Sequence, residues 1–155
     1  MGCVRSWPCW LPALDSRSID ALVEAMAKAV SPGCAIFTHE FKGAASRVPS
    51  GTTAFGLRRD HVLVEILAAF VDRFDKLEER RHRQWVRDTL RAFDPMALPG
   101  GYPNLLPVDA EADRVTKSYG GNVERLIEAK RRYDPDNIFR SAIPLPVGRV
   151  LAGAA

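Results

Sequence analysis

The chain contains no Gly-x-Gly-x-x-Gly, no Gly-x-x-x-x-Gly-Lys-Ser/Thr, and no Ser/His/Asp arrangement whose local context supports nucleophilic catalysis. Glycine-loop dinucleotide binding, P-loop phosphate chemistry and serine-type acyl transfer therefore have no motif to rest on. No apolar run reaches the roughly 18 residues a spanning helix needs. The longest, His61 to Val71, is interrupted by Glu65, so a soluble chain without membrane attachment is expected. Cysteine is scarce: Cys3, Cys9 and Cys34 form an odd set without metal-type pairing. Histidine is equally scarce, and His39, His61 and His82 each lack a second ligand-type residue at metal spacing, so no metal site is expected. Pro8, Pro12 and Asp15 leave no apolar core for a secretory signal, which favours a cytoplasmic location. The basic clusters Arg80-Arg81-His82-Arg83 and Lys130-Arg131-Arg132 lack interleaved aromatics and read as solvated helix faces rather than a nucleic-acid site.

What is present is ordinary globular material. With 155 residues, 46% apolar and 26% charged, the chain fits one domain, and its net charge of +3 selects no partner. Residues 1–17 show no period and read as an irregular leader. From Ser18, a natural N-cap, the residues Ile19, Leu22, Val23, Met26 and Val30 recur at helical spacing until Ser31-Pro32-Gly33. Cys34–Phe41 reads as a strand, and so does His61–Val71, which is rich in branched side chains. A long helix is expected from about Arg73 to Phe93. Tyr102–Leu106 reads as an edge strand because Pro103 cannot donate to a ladder. A helix from about Ala110 ends at Gly120-Gly121, Asn122 caps another, and Asp134-Pro135-Asp136-Asn137 breaks that one as a turn. Strands lying among helices without regular alternation imply an α+β fold, an antiparallel sheet covered by helices on one face.

Several of these stretches carry a family resemblance. Tyr119-Gly120-Gly121-Asn122, followed by Tyr133-Asp134-Pro135-Asp136-Asn137-Ile138-Phe139-Arg140, resembles the C-terminal signature of berberine-bridge-enzyme-like FAD-linked oxidases. Tyr102-Pro103-Asn104 is similar to that family's Tyr-x-Asn element. Phe41 to Pro49 and Thr53-Ala54-Phe55-Gly56-Leu57-Arg58 are similar to its substrate-domain loop. The resemblance runs from about Ser18 to Phe139. It implies residues 18–99 as part of a substrate-binding domain, 100–144 as a helical berberine-like C-terminal segment that returns to the flavin domain, and 145–155 as a tail. It also implies FAD as cofactor, a small-molecule substrate, and hydride transfer from substrate C–H with reoxidation by oxygen. In the family FAD is held mostly by an N-terminal half, often with a histidine and a cysteine attached to the ring, and neither motif is found here. An oxidase fragment completed by a missing or separate N-terminal FAD-binding half is thus the leading expectation. A catalytically inactive ligand- or protein-binding module is the alternative.

Candidate site residues follow from the matched motifs. Tyr102 is the catalytic candidate, since its hydroxyl can donate, accept or relay a proton, against the bland reading of a half-buried tyrosine with its hydroxyl in water. Asn104, Asn137 and Arg140 are the cofactor-binding candidates. Asn137 equally suits a purely local role in its turn, and Arg140 a solvated surface. Tyr119 is expected to pack in the core near Val115. Two departures stand out: Leu105 occupies the position where many plant relatives carry a tyrosine base, and Phe139-Arg140 runs into Ser141-Ala142-Ile143-Pro144 rather than an Asn-containing segment.

Overall fold

The computed structural model describes residues 3–70, 75–106, 110–139 and 145. In chain order they form β1 (Cys3–Leu11), α1 (Ser16–Ala27), β2 (Cys34–Phe41), β3 (His61–Phe70), α2 (Lys76–Phe93), α3 (Ala112–Tyr119) and α4 (Val123–Tyr133), joined by short 3-10 turns. The strands make one antiparallel sheet in the order β1-β3-β2. Aliphatic and β-branched residues fill β3, as suits a central strand covered on both sides by neighbours.

Alternation gives the sheet two different faces. Trp7, Cys9 and Leu11 of β1, Val64, Ile66 and Ala68 of β3, and Cys34 and Ile36 of β2 share one face, packed with Trp85, Val86 and Phe93 of α2 and with Ala21 and Leu22 of α1. Trp85 Nε1 also donates to Ala25 O at 2.9 Å, tying α2 to the last turn of α1. His82, buried in α2, faces Glu78 O at 2.8 Å through Nδ1 and Ser31 Oγ at 2.8 Å through Nε2, anchoring the connection between α1 and β2. That connection has no room for a side chain at Gly33, where a Cβ would lie 1.9 Å from Ala69 O.

Burial of Cys9 in this layer pushes its thiol pKa up to about 11. α1 begins with Asp15 as its cap, whose Oδ1 accepts from Ser18 N at 2.8 Å, so Ser18 lies in the first turn and not at the cap as expected. Those bonds from Ser18 hold the Asp15 carboxyl below its ordinary value.

Three other expectations are corrected. The leader assigned to residues 1–17 supplies β1 and the start of α1. Pro8 is tolerated because β1 lies at the sheet's edge and Pro8 O accepts from Arg114 Nη2; that side of the residue faces away from β3, where a missing N–H breaks no ladder bond. Tyr102–Leu106 is no strand: Pro103 starts a 3-10 turn, with Leu105 N and Leu106 N both donating to Tyr102 O at 2.9 and 3.1 Å. Asn122 stands at the start of α4, but its side chain makes no capping bond and donates elsewhere. The strands Cys34–Phe41 and His61–Phe70 and the helices α2 and α3 lie where the pattern put them, while Val71, Arg73 and Phe74 fall outside the described residues. Gly120 ends α3 at φ +58° and ψ −143°, a conformation open to glycine.

Phe93 is wholly buried among Cys9, Leu11 and Val86. Phe93→Ala is expected to cost about 3–5 kcal/mol, and exposed Ile19→Ala well under 1 kcal/mol, by urea unfolding followed by circular dichroism.

Candidate functional site

The opposite face of the sheet carries the polar and aromatic residues. From β3 it presents His61, Leu63, Glu65 and Leu67; from β2 Ala35, Phe37, His39 and Phe41; from β1 Ser6, Pro8 and Trp10. One half is covered by the turn at Tyr102, which brings its ring against Trp10 and Phe41, with centroids 5.9 and 6.0 Å apart. Phe55 joins them at 6.1 Å from Trp10 and 6.3 Å from Tyr102. These edge-on and tilted contacts are the arrangement that ring quadrupoles favour, and they make a fixed wall.

Against that wall lies a cavity of 470 Å³, within the size range of small-molecule sites, bounded by Phe41, Phe55, Arg58, Tyr102, Asn104 and Tyr119 among others. Asn104 Nδ2 donates to the Tyr102 hydroxyl at 3.0 Å. Arg58 is committed to the loop: it donates to Phe55 O at 3.0 Å, Ala45 O at 3.1 Å and Thr53 Oγ1 at 2.8 Å, and its guanidinium lies 5.0 Å from the Phe55 ring centre. Asn122 holds the same loop from the other side, donating to Ser50 O at 2.8 Å and Thr53 O at 3.1 Å. Arg125 adds a bond to Gly51 O. Tyr119 is half-buried and borders the cavity, and burial raises its phenol pKa.

His61 sits behind the wall, its ring stacked on Phe41 at 4.9 Å and edge-on to Trp10 at 4.7 Å. Nδ1 lies 2.6 Å from Arg59 O, so Nδ1 carries the proton and donates; Nε2 is buried without a partner. Desolvation lowers its pKa, opposed by the bond to Arg59 O.

The other half of this face is open. At its centre, two residues along β3 from Leu63, stands Glu65, whose Oε1 accepts from Ser6 Oγ at 2.8 Å and whose Oε2 lies 3.3 Å from His39 Nε2. Its side chain is 17% exposed, against 50% for His39. A carboxylate held by two neighbours on an exposed sheet face is placed to accept a proton from a bound molecule.

The structure thus brings Tyr102 and Asn104 together at one cavity. Asn137 lies apart, in the exposed turn after α4 at φ +51°, its N donating to Asp134 O at 3.0 Å, and Arg140 falls outside the described residues. The Asp134 carboxyl is held below its ordinary value by Lys130, and it accepts from Ile138 N and Phe139 N at 2.8 and 3.1 Å. Sequence reasoning missed Glu65 and Asn122. The lone charge in an apolar strand is a signal for the first, while Asn122 stands out only within its motif and as a helix cap, not as a loop clamp, since its partners lie about 70 positions away. Among the described residues no group of three or more His, Cys, Asp or Glu could hold a metal, and no helix is long and apolar enough to cross a membrane.

The same arrangement of elements is found in part of berberine bridge enzyme. The structure of that enzyme from Eschscholzia californica superposes at TM-score 0.77 and 22% identity, covering 94% of this chain and 33% of that one. A berberine-bridge-enzyme-like protein of Physcomitrella patens gives 0.76 at 19%, covering 93% and 30%. Residues 101–146 match the family model described as berberine and berberine like. Two uncharacterised FAD-linked oxidoreductases of Bacillus subtilis, YgaK and YvdP, are 29% identical over 133 residues and 32% over 108. The chain is thus similar to one part of the berberine-bridge-enzyme-like, FAD-linked oxidoreductases. It covers 86% and 69% of itself in those two alignments but spans only 28% and 23% of the relatives' length.

Because the folded His61 titrates below its unfolded value, the unfolded chain binds the extra proton first, and stability falls as pH drops through about 6.5. The lowered carboxyls of Asp15, Glu24, Glu79 and Asp134 act only below their ordinary values of 3.8 to 4.5. Urea unfolding between pH 7.5 and 5 is expected to show the loss, at no more than about 1.4 kcal/mol per pH unit, and His61→Phe to flatten it. Asn122→Ala, which removes two hydrogen bonds to the Ser50–Thr53 loop, is expected to cost about 1–3 kcal/mol by the same assay, at roughly 0.5–1.5 kcal/mol for each bond.

Proposed function

We propose that this chain is the substrate-facing and C-terminal part of an FAD-dependent oxidoreductase, whose flavin-binding half is supplied by polypeptide outside these residues. The observation that carries the reading is one sheet face that holds the Glu65 carboxylate on its open half and, on its covered half, a cavity lined by Phe41, Phe55 and Tyr102. The relatives named above as FAD-linked supply the cofactor's identity.

The described residues fit a flavin in part. The open half-face, with Ala35, Phe37 and Leu67 around Glu65, offers an apolar surface for one side of a planar ring. Nothing recognisable among them cradles a pyrophosphate, which needs several backbone N–H donors at a glycine-rich loop or helix start. Bound FAD would accept hydride from a substrate C–H and be reoxidised by oxygen. The chain's own part is to hold the substrate and take its proton. Phe41, Phe55 and Tyr102 form the apolar wall, Asn104 fixes the Tyr102 hydroxyl, and Glu65 accepts the proton of a substrate hydroxyl or amine while Ser6 and His39 keep its oxygens in place. Tyr102 and Asn104 act as substrate- and flavin-side contacts. Asn137 and Arg140 belong to a tail assigned to the flavin-binding half. The exposure of Tyr133, Ile138 and Phe139 at 75%, 73% and 80% supports that assignment, because a cluster of large apolar side chains in water is the mark of a surface built to be covered.

The purified chain is expected to retain little FAD and to produce no peroxide, because a ring held on one face alone cannot offset the roughly 4 kcal/mol or more of lost translational and rotational freedom. Visible absorption after mixing with FAD, and again after co-expression with a flavin-binding half from a relative, measures this. Flavin retention only with the partner supports the proposal, and a yellow, stoichiometrically loaded single chain sinks it. In the reconstituted enzyme, Glu65→Gln is expected to lower flavin reduction by about 10²–10⁴-fold, in keeping with loss of a positioned base. Unchanged reduction by Glu65→Gln would rule out Glu65 as the base.

A further inference from the structure

The turn that follows α4 is held more firmly than its place on the surface demands. Asp134 terminates the helix, and its carboxylate takes three donors: Oδ1 accepts from Ile138 N at 2.8 Å, and Oδ2 accepts from Phe139 N at 3.1 Å and from Lys130 Nζ. Lys130 Nζ also donates to Phe139 O, and Asn137 N donates to Asp134 O at 3.0 Å. The two charged side chains are mostly covered, at 18% exposed for Lys130 and 10% for Asp134. Asn137 completes the reversal at φ +51°, a left-handed value that asparagine adopts more readily than most residues.

The helix itself gains little from this arrangement. A carboxylate at a helix C-terminus lies at the negative end of the dipole and is unfavourable there unless a cation answers it, as Lys130 does. What the bonds fix is the path of residues 137–139. The side chains carried on that path, Ile138 and Phe139, stand in water, as does Tyr133 of the last helical turn. Hydrogen bonds that hold apolar side chains out in solvent do nothing for folding. Their effect falls on association, because a contact segment already in its bound form loses less freedom when the partner arrives.

We infer that Lys130 and Asp134 form a latch that preorganises a docking element, presenting Ile138 and Phe139 in fixed positions to an apolar recess on the flavin-binding polypeptide. This rests on the proposed function, which places that polypeptide outside these residues. The chain spans only 28% and 23% of its two relatives, so most of a relative's length is there to supply the recess. Lys130 and Asp134 are positioning residues: they act through the two side chains that make the contact.

Hydrogen exchange on the isolated chain tests the latch, and affinity for the flavin-binding half of a relative tests its use. The amides of Ile138 and Phe139 are expected to exchange about tenfold or more slower in the unaltered chain than in Asp134→Ala, with β3 protected equally in both. Asp134→Ala and Lys130→Met are each expected to weaken binding of the immobilised flavin-binding half by about tenfold or more. Ile138→Ser combined with Phe139→Ser is expected to weaken it further, and in that background Asp134→Ala adds less than about twofold, since the latch works only through those side chains. A purely local role for Asp134 would give its full effect in both backgrounds and overturn the proposal. Fast exchange of the two amides in the unaltered chain overturns it as well. A chain that binds the half but is indifferent to the paired serine changes overturns this inference and leaves the proposed function standing, whereas no binding at all sinks both. A fall in the urea midpoint of the isolated chain on the paired changes assigns the two side chains to the chain's own last residues, and a dimer dissolved by them assigns the pair to a second copy. Either result overturns the proposal.

Discussion

Strand β3 shares its backbone hydrogen bonds with both β1 and β2, and its side chains alternate between two environments that have little in common. A shift of one residue in its pairing would turn Val64, Ile66 and Ala68 out of the helix-backed core and push His61 and Glu65 into it. The cost of burying that carboxylate away from Ser6 and His39 would be several kcal/mol by itself. The requirement that one face be dry therefore sets the register, and the register sets which residues the other face can offer. The cavity and the Glu65 carboxylate follow from the packing on the far side of the sheet.

The functional face is divided by how it is supported. Around the cavity, Arg58 and Asn122 clamp the connection between β2 and β3 from both ends, so the wall of Phe41, Phe55 and Tyr102 rests on fixed backbone. Around Glu65 the support comes from the sheet alone. A site with one prepared wall and one bare surface suits a protein that meets its cofactor through a second body, and the exposed Ile138 and Phe139 at the far end of α4 fit the same division.

Legibility in the sequence followed the range of the interactions. His61–Phe70 and Cys34–Phe41 were readable because uninterrupted branched and aromatic runs have few alternatives, and the helices because apolar residues recur at their period. β1 was not readable. Pro8 and Pro12 are breakers locally, and only the edge position and the carbonyl bond to Arg114, 106 residues away, make Pro8 acceptable. The Tyr102 turn is hard to read for the converse reason: Pro103 fits an edge strand, and the same residue opens a 3-10 turn with equal ease. Of the site, the short motifs located Tyr102 and Asn104. Glu65 was noticed only as an interruption, since the sequence does not say which face of a strand will stay open. The cap is Asp15 and not Ser18, which donates both its N–H and its hydroxyl to Asp15.

The burial of Cys9 carries a consequence for chemical labelling. A thiol whose pKa is pushed up to about 11 is almost entirely protonated at neutral pH, and thiolate is the form that alkylating reagents attack. Cys9 lies in β1 beside Phe93, in the layer whose loss separates the helices from the sheet. Reagent therefore reaches it only when that layer opens, and the rate of its modification becomes a clock for the opening of the core.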